Sequence, residues 1–257
     1  MKEKKIPKYL GPDTSGRKRL MSKEEIKSRF DNESAALYSR RDPAWLPDFR
    51  YAFGLIPELI RAFAPGAVKI LDLGAGTGNL SRVILANLES AQVRLMDFSA
   101  NMLAEAPKVL EAFPGRYEIV TSDFLGRALG SGEFDAVVSS FAIHHCRGEG
   151  QYLDLYKRIF DCLIQPGIFI CCDVVSGENP FFSEYNENEW RTFLDERDFP
   201  SEQIDKILSN YHIEDSPLSI PNHLTLLKQA GFSRSDVVWK RANFAVYAGI
   251  VEKENPR

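Results

Sequence analysis

The stretch Ile70-Leu71-Asp72-Leu73-Gly74-Ala75-Gly76-Thr77-Gly78 constrains this chain more than any other part of its 257 residues. An apolar run, Ala67-Val68 and then Ile70-Leu71, leads into an acid and then into glycine at every second position. An amphipathic segment, Asn79 to Leu88, follows. The order is strand, tight loop, helix. Glycine lets such a loop take positive φ, and it lets a ligand come close to the main chain at the start of the helix. The spacing is G-x-G-x-G, with Asn79 where the last glycine of a G-x-G-x-x-G fingerprint would stand.

Further strands can be read downstream. Gln92 to Met96 ends in Asp97, nineteen residues after Gly78. In a doubly wound sheet the carboxyl ends of the first two strands lie side by side, so an acid there can accept two hydrogen bonds from the hydroxyls of a ribose. Tyr117 to Val120 ends near Asp123-Phe124, and Phe134 to Val138 runs into Ser139-Ser140-Phe141-Ala142-Ile143-His144-His145. Ile168 to Cys172 follows the turn Gln165-Pro166-Gly167. Tyr152, Leu155, Tyr156, Ile159, Phe160 and Leu163 have the spacing of a helix lying on a sheet. The helix Ser219 to Ala230 should cap at Gly231. Strands near 235–240 and 243–251 complete the pattern.

Taken in order and spacing, ILDLGAGTGNLS, LMDFSANML, TSDF, FDAVVSSFAIHH, LIQPGIFICCD and LLKQAGF resemble the class I S-adenosylmethionine-dependent methyltransferases, from about residue 30 to 252. The resemblance implies an α/β fold with a Rossmann-like seven-stranded sheet, mostly parallel with a C-terminal antiparallel hairpin, and helices on both faces. It implies S-adenosyl-L-methionine as cofactor, with S-adenosyl-L-homocysteine as product. The implied cofactor-binding residues are Asp72, Gly74, Gly76, Gly78, Asp97, Phe98, Met102, Asp123, Phe124 and Ser140. By resemblance, Asp72 orients the methionine end, Phe98 packs on the adenine, Asp123 accepts from the adenine amino group and the Phe124 N–H meets a ring nitrogen. His144 and His145, just past the fourth strand, and Tyr38, in Ser34-Ala35-Ala36-Leu37-Tyr38, are the catalytic candidates. A histidine there suits a hydroxyl or thiol acceptor, and the tyrosine would cover the sulfonium. Each residue also has a plainer reading: glycine for a turn, Phe98 for the core, histidine as a helix cap.

Residues 1–20 read as a mobile basic tail, a solvated segment rather than an RNA-binding arm. Residues 21–64 read as an N-terminal helical cap. Ser22 and Glu25 form a capping box, and Phe49, Phe53, Ile56 and Ile60 mark a second helix over Pro47 to Phe63. The methyltransferase domain spans 65–252, with an inserted lid at 176–216. There Phe181, Phe182, Tyr185, Trp190 and Phe193 follow no single helix face, and a short helix at Ile204, Ile207, Leu208 and Tyr211 comes after them. A net charge of −4 argues against a nucleic-acid surface over the whole molecule. The four cysteines lack C-x-x-C spacing, so neither a metal site nor a disulfide framework is expected. With no signal peptide and no spanning run, a cytoplasmic monomer or homodimer is expected, away from membranes.

The favoured function is methyl transfer to a small-molecule acceptor by in-line displacement. A carboxy-S-adenosylmethionine synthase, or a methyltransferase of transfer-RNA modification, is the alternative within the fold. The layouts of Arg41 to Pro47 and of Asn222-His223 to Asn243-Phe244 resemble the synthases, which hold the extra carboxylate with an arginine in the insertion. Arg191 and Arg197 are the arginines available there, whereas FAIHH departs toward ordinary methyltransferases. A non-catalytic cofactor-binding subunit is the reading from another class, and intact Gly74, Gly76, Asp97 and Asp123 argue against it. The misplaced third glycine argues against a nicotinamide-dependent oxidoreductase.

Overall fold

The computed structural model describes residues 19–32, 45–66 and 69–252. Tyr38, the basic run as far as Lys18, and Ala67-Val68 lie outside the described residues. Helix α1 (Lys23–Asn32) opens the described chain, and the capping box is present: the Glu25 N–H donates to Ser22 Oγ at 3.2 Å, and the Ser22 N–H to Glu25 Oε2 at 2.6 Å. Helix α2 (Phe49–Phe63) buries Phe53, Ile56 and Ile60. Then come β1 (Lys69–Leu73), α3 (Asn79–Asn87), β2 (Gln92–Asp97) and two four-residue helical turns, α4 (Ala100–Leu103) and α5 (Ala106–Val109). They are followed by β3 (Tyr117–Thr121), β4 (Phe134–Ser140), a 3-10 turn at Ile143–His145, α6 (Gly148–Cys162) and β5 (Leu163–Val174). Helices α7 (Pro180–Asp195), α8 (Ser201–Glu214) and α9 (Ile220–Ala230) precede the hairpin β6 (Arg234–Arg241) and β7 (Phe244–Val251).

The seven strands form one sheet in the order β3-β2-β1-β4-β5-β7-β6. Pairing is parallel from β3 through β5, and β7 runs antiparallel to both β5 and β6. The order reverses between β1 and β4, which opens the crevice at the carboxyl ends of the strands where such sheets bind ligands. Strands buried on both faces explain the continuous apolar runs of β1, β4 and β5. One face packs Tyr152, Tyr156 and Ile159 of α6 with Leu226 and Leu227 of α9. The other packs Phe53, Ile56 and Ile60 of α2 with Leu80 and Ile84 of α3. Neighbouring Cys171 and Cys172 fall in opposite cores, as a strand's alternation requires. All four cysteines are buried and free.

One expectation needs correction, and one element is not read from the sequence. Strand β5 begins at Leu163, earlier than its apolar run suggests. The aromatic stretch of the insertion is a regular helix, α7, with Asn179 as N-cap: its Oδ1 accepts from the Phe182 N–H at 3.1 Å, and Pro180 takes the first turn. Trp190 and Phe193 are buried with Ile204, Ile207, Leu208 and Tyr211 of α8 and with Phe244, while Phe181, Phe182 and Tyr185 are about half exposed. The aromatics thus occupy two faces of one helix, which hides its periodicity.

Candidate active site

The glycine loop turns through positive φ at Gly74, Gly76 and Gly78. The reasons differ. A Cβ on Gly74 would lie 2.2 Å from that of Ala142, so this glycine lets the β1 loop touch the chain after β4. A Cβ on Gly76 would meet nothing within 4 Å, because that residue faces a cavity. Gly78 packs toward Leu95 and does not line the cavity, a structural rather than a ligand-facing position.

That cavity has a volume of about 400 Å³ and lies over the switch point. It falls in the range of about 300–1,000 Å³ common for small-molecule sites. Of the residues expected to bind cofactor, Gly74, Gly76, Asp97, Phe98, Met102, Asp123, Phe124 and Ser140 line it, and Asp72 does not. Asp97 closes β2, and both its oxygens are already in use by the main chain: Oδ2 accepts from the Gly76 N–H and Oδ1 from the Ser99 N–H, each at 2.8 Å. Each carboxylate oxygen has a second lone pair for a ligand. Asp123 Oδ1 accepts from the Leu125 N–H at 2.9 Å, which fixes the turn that follows β3.

Asp72 is fully buried behind the loop, with Oδ2 accepting from Ser81 Oγ at 2.6 Å and Oδ1 without a hydrogen-bond partner among the described residues. Burial raises its pKa to about 7, against the lowering effect of the Ser81 hydroxyl. It ties the strand to α3 rather than reaching the cavity.

Sequence reasoning missed the cations of the cavity wall, Arg147 and Arg158. Arg158 donates to the carbonyls of Phe124 and Arg127. Arg147 Nη2 donates to the carbonyls of Met21 and Glu214 at 3.0 and 2.8 Å, joining the N-terminal cap to the insertion. Its buried Nη1 has no hydrogen-bond partner among the described residues. No local pattern announces their place on the cavity wall: Arg158 pairs locally with Asp154, but the carbonyls that seat both arginines lie far off in sequence.

A second cavity, about 120 Å³, adjoins the first; Phe141 and His145 line both. Phe141 holds a left-handed φ of 50°, an unusual backbone state that turns its ring between the two spaces. The second cavity is walled by Trp45, Trp190, Tyr211 and Phe244, with Glu214 and Asp215 at its polar end. No lysine or arginine lines it among the described residues. The Trp190 indole N–H donates to the Trp45 carbonyl at 2.9 Å, so α7 and the segment preceding α2 close one side together.

The two histidines have different places. His144 lines only the second cavity, with Nδ1 2.5 Å from Asp173 Oδ1 and Nε2 3.3 Å from Asp215 Oδ1. Burial would lower its pKa, but the Asp173 and Asp215 carboxylates prevail and raise it to about 9. His145 Nδ1 lies 3.6 Å from the same Asp215 oxygen. Burial, with the neighbouring charges of His144 and Arg147, holds its pKa well below the usual value, so it is neutral at pH 7. Asp215 is pushed up to about 6 by burial, opposed by His144. Of the two catalytic candidates among the described residues, His145 faces both cavities and His144 only the second.

Residues 70–167 match the family described as a methyltransferase domain. The carboxy-S-adenosyl-L-methionine synthase of Nautilia profundicola is 25% identical over 226 residues, covering 87% of this chain and 94% of that protein. The synthase of Sulfurimonas denitrificans is 26% identical over 230 residues, covering 86% and 93%. Among solved structures, human N-acetylserotonin methyltransferase in complex with SAM aligns with a TM-score of 0.62 at 14% identity, covering 91% of this chain and 63% of that one. The YcgJ protein from Bacillus subtilis aligns at 0.58 with 12% identity, covering 79% and 99%. This chain spans nearly the whole of the two synthases and under two thirds of the human enzyme.

Proposed function

We propose that this chain, which carries the fold and the domain of the class I S-adenosylmethionine-dependent methyltransferases, transfers the methyl group in line to a small acceptor held in the aromatic cavity. The observation that carries this reading is the shared wall: Phe141 and His145 border both the larger and the smaller cavity. An acceptor in the smaller space would abut a cofactor in the larger.

The residues present suit that cofactor. Asp97 offers lone pairs to the ribose hydroxyls, Phe98 and Phe124 offer aromatic faces to the adenine, and Gly76 leaves the loop open to ligand. Arg147, which lines the larger cavity, is a cation suited to the cofactor's carboxylate. S-adenosyl-L-methionine supplies a methyl group on sulfur that leaves as a neutral thioether, so little covalent chemistry is left for the protein. The side chains position the acceptor and exclude water, which can lower a barrier by roughly 7–11 kcal/mol. Neutral His145 stands where it could take a proton from an acceptor hydroxyl.

A second reading, carboxyl transfer to the cofactor, is favoured by the full-length match to the synthases and by Arg147, which could also hold an added carboxylate. The insertion arginines do not support it. Arg191 pairs with Asp205 at 2.9 Å, Arg197 lies over the Phe193 ring at 4.0 Å, and neither lines a cavity. Mass spectrometry of the ligand that co-purifies with the protein separates the two. S-adenosylmethionine or S-adenosylhomocysteine supports methyl transfer, whereas a carboxylated sulfonium overturns it. Isotopically labelled cofactor incubated with cell extract would then identify the acceptor.

A further inference from the structure

The Asp215 carboxylate meets two imidazoles in a way a hydrogen-bond network does not explain well. One oxygen, Oδ1, lies 3.3 Å from His144 Nε2 and 3.6 Å from His145 Nδ1. The first distance is long for a hydrogen bond and the second is beyond one. Both are near the separation of neighbouring donors around one small ion. Two donors about 2.0–2.1 Å from a tetrahedral ion are about 3.3–3.4 Å apart, against about 2.9 Å around an octahedral one. The donor atoms of the three residues all lie within 4.8 Å of one another.

The support behind His144 has the same character. Asp173 Oδ1 accepts from His144 Nδ1, so Nε2, beside Asp215, is the nitrogen that would give up its proton to bind an ion. Asp173 is itself fixed, since Oδ2 accepts from the His144 N–H at 3.1 Å and Oδ1 from the Val174 N–H at 2.7 Å. A carboxylate behind a histidine in this way sets the tautomer and orientation that metal ligands need. The three residues also border open space. All line the aromatic cavity, and His145 reaches the larger one as well.

We infer that His144 Nε2, His145 Nδ1 and Asp215 Oδ1 form a binding site for one zinc-type divalent cation, with the fourth tetrahedral position opening into the aromatic cavity. Two imidazoles and one carboxylate suit zinc, and three protein ligands with one open position is the arrangement of sites that bind an exchangeable oxygen ligand. The site itself does not depend on the methyl-transfer reading. Its use does: on that reading the fourth position takes the acceptor's hydroxyl oxygen. With His145 engaged by the ion, the hydroxyl proton goes to solvent when the oxygen binds, in place of the transfer to His145 that a metal-free site would use. The oxygen–methyl bond then forms as the sulfur–methyl bond breaks, and the bonding pair stays on sulfur.

The test uses the full chain stripped with a chelator and titrated with Co²⁺, then with Zn²⁺. The expected result is one ion per chain after gel filtration, with the intense visible absorption of four-coordinate Co²⁺, bleached by Zn²⁺. Asp215→Asn and His145→Gln should each abolish that spectrum, and Asp173→Asn should weaken binding by about 10–100-fold. Calorimetry with S-adenosylhomocysteine on the Asp215→Asn and Asp173→Asn preparations shows that they are folded and reports on the cofactor site separately, and thermal unfolding shows that His145→Gln, which borders that site, is folded. Sub-stoichiometric metal, a six-coordinate spectrum, or equal binding by the Asp215→Asn and His145→Gln proteins would overturn the assignment. So would a thiolate charge-transfer band, which would place the ion on cysteine. Loss of methyl transfer with the metal site intact would instead count against the proposed function alone.

Discussion

Asp97 Oδ2 accepts the Gly76 N–H at 2.8 Å, so the acid that ends β2 holds the glycine loop that follows β1. The residue suited to the ribose therefore also shapes the loop beside it. Its substitution should show in stability as well as in binding.

Asp97→Ala removes a charged acceptor from two main-chain N–H groups and from the ligand's hydroxyls. Hydrogen bonds to charged groups contribute about 1.5–3 kcal/mol, so affinity for S-adenosylhomocysteine should fall by roughly tenfold to a hundredfold. The melting temperature of the free protein should fall too. Calorimetry and thermal unfolding on one preparation check both, and unchanged affinity would remove Asp97 from the site.

Gly74→Ala and Gly76→Ala should separate fold from ligand. At Gly74 the new Cβ would collide with Ala142, and φ is +68°, so stability should fall with binding. At Gly76 the Cβ has room, and the left-handed backbone costs only about 1–2 kcal/mol. That variant should stay folded yet bind S-adenosylhomocysteine poorly, since its methyl points into the cavity. Denaturant midpoints set beside binding isotherms give the comparison. Normal binding by folded Gly76→Ala would put the cofactor elsewhere.

Asp72 sets a pH dependence. Its folded pKa, about 7, lies above the ordinary 3.8, so the folded state takes up a proton the unfolded chain releases. The stability this gives is complete below about pH 4 and is lost as pH rises toward 7. Asp72→Asn keeps an acceptor for Ser81 and has no charge to bury. Relative to wild type, it should gain stability between pH 4 and 7 and hold that gain above. Urea midpoints at pH 5 and pH 8 measure it, and parallel profiles would contradict the buried-charge account.

The insertion, α7 and α8, should act as a lid. Its small hydrophobic cluster, centred on Trp190 and Phe193, is separate from the two main cores and seats on Val174 and Phe244 at the sheet's end, and the insertion supplies Trp190, Tyr211 and Asp215 to the aromatic cavity. Amide exchange there should be faster than in β4 and β5 and should slow when cofactor and acceptor are both bound. Protection in the free protein equal to that of the sheet would show a fixed wall instead.

The sequence by itself determined the sheet, the glycine loop and the acids at the strand ends, because those signals are local. Apolar runs mark buried strands, and an acid directly after a strand must lie at the crevice. By the same logic the hairpin and α9 could be placed from alternation and from Gly231. Tertiary structure decided what faces what. Asp72 and Gly78 sit in the motif, yet one turns behind the loop and the other into the packing of β2. Helix α7 escaped notice because its aromatics cover an exposed and a buried face at once. Asp215 lies seventy residues after His145, at the end of an insertion whose path no periodicity reports, and only packing brings it to the two histidines. Periodicity records which face of an element leaves water. It carries no information on which distant side chain that face will meet.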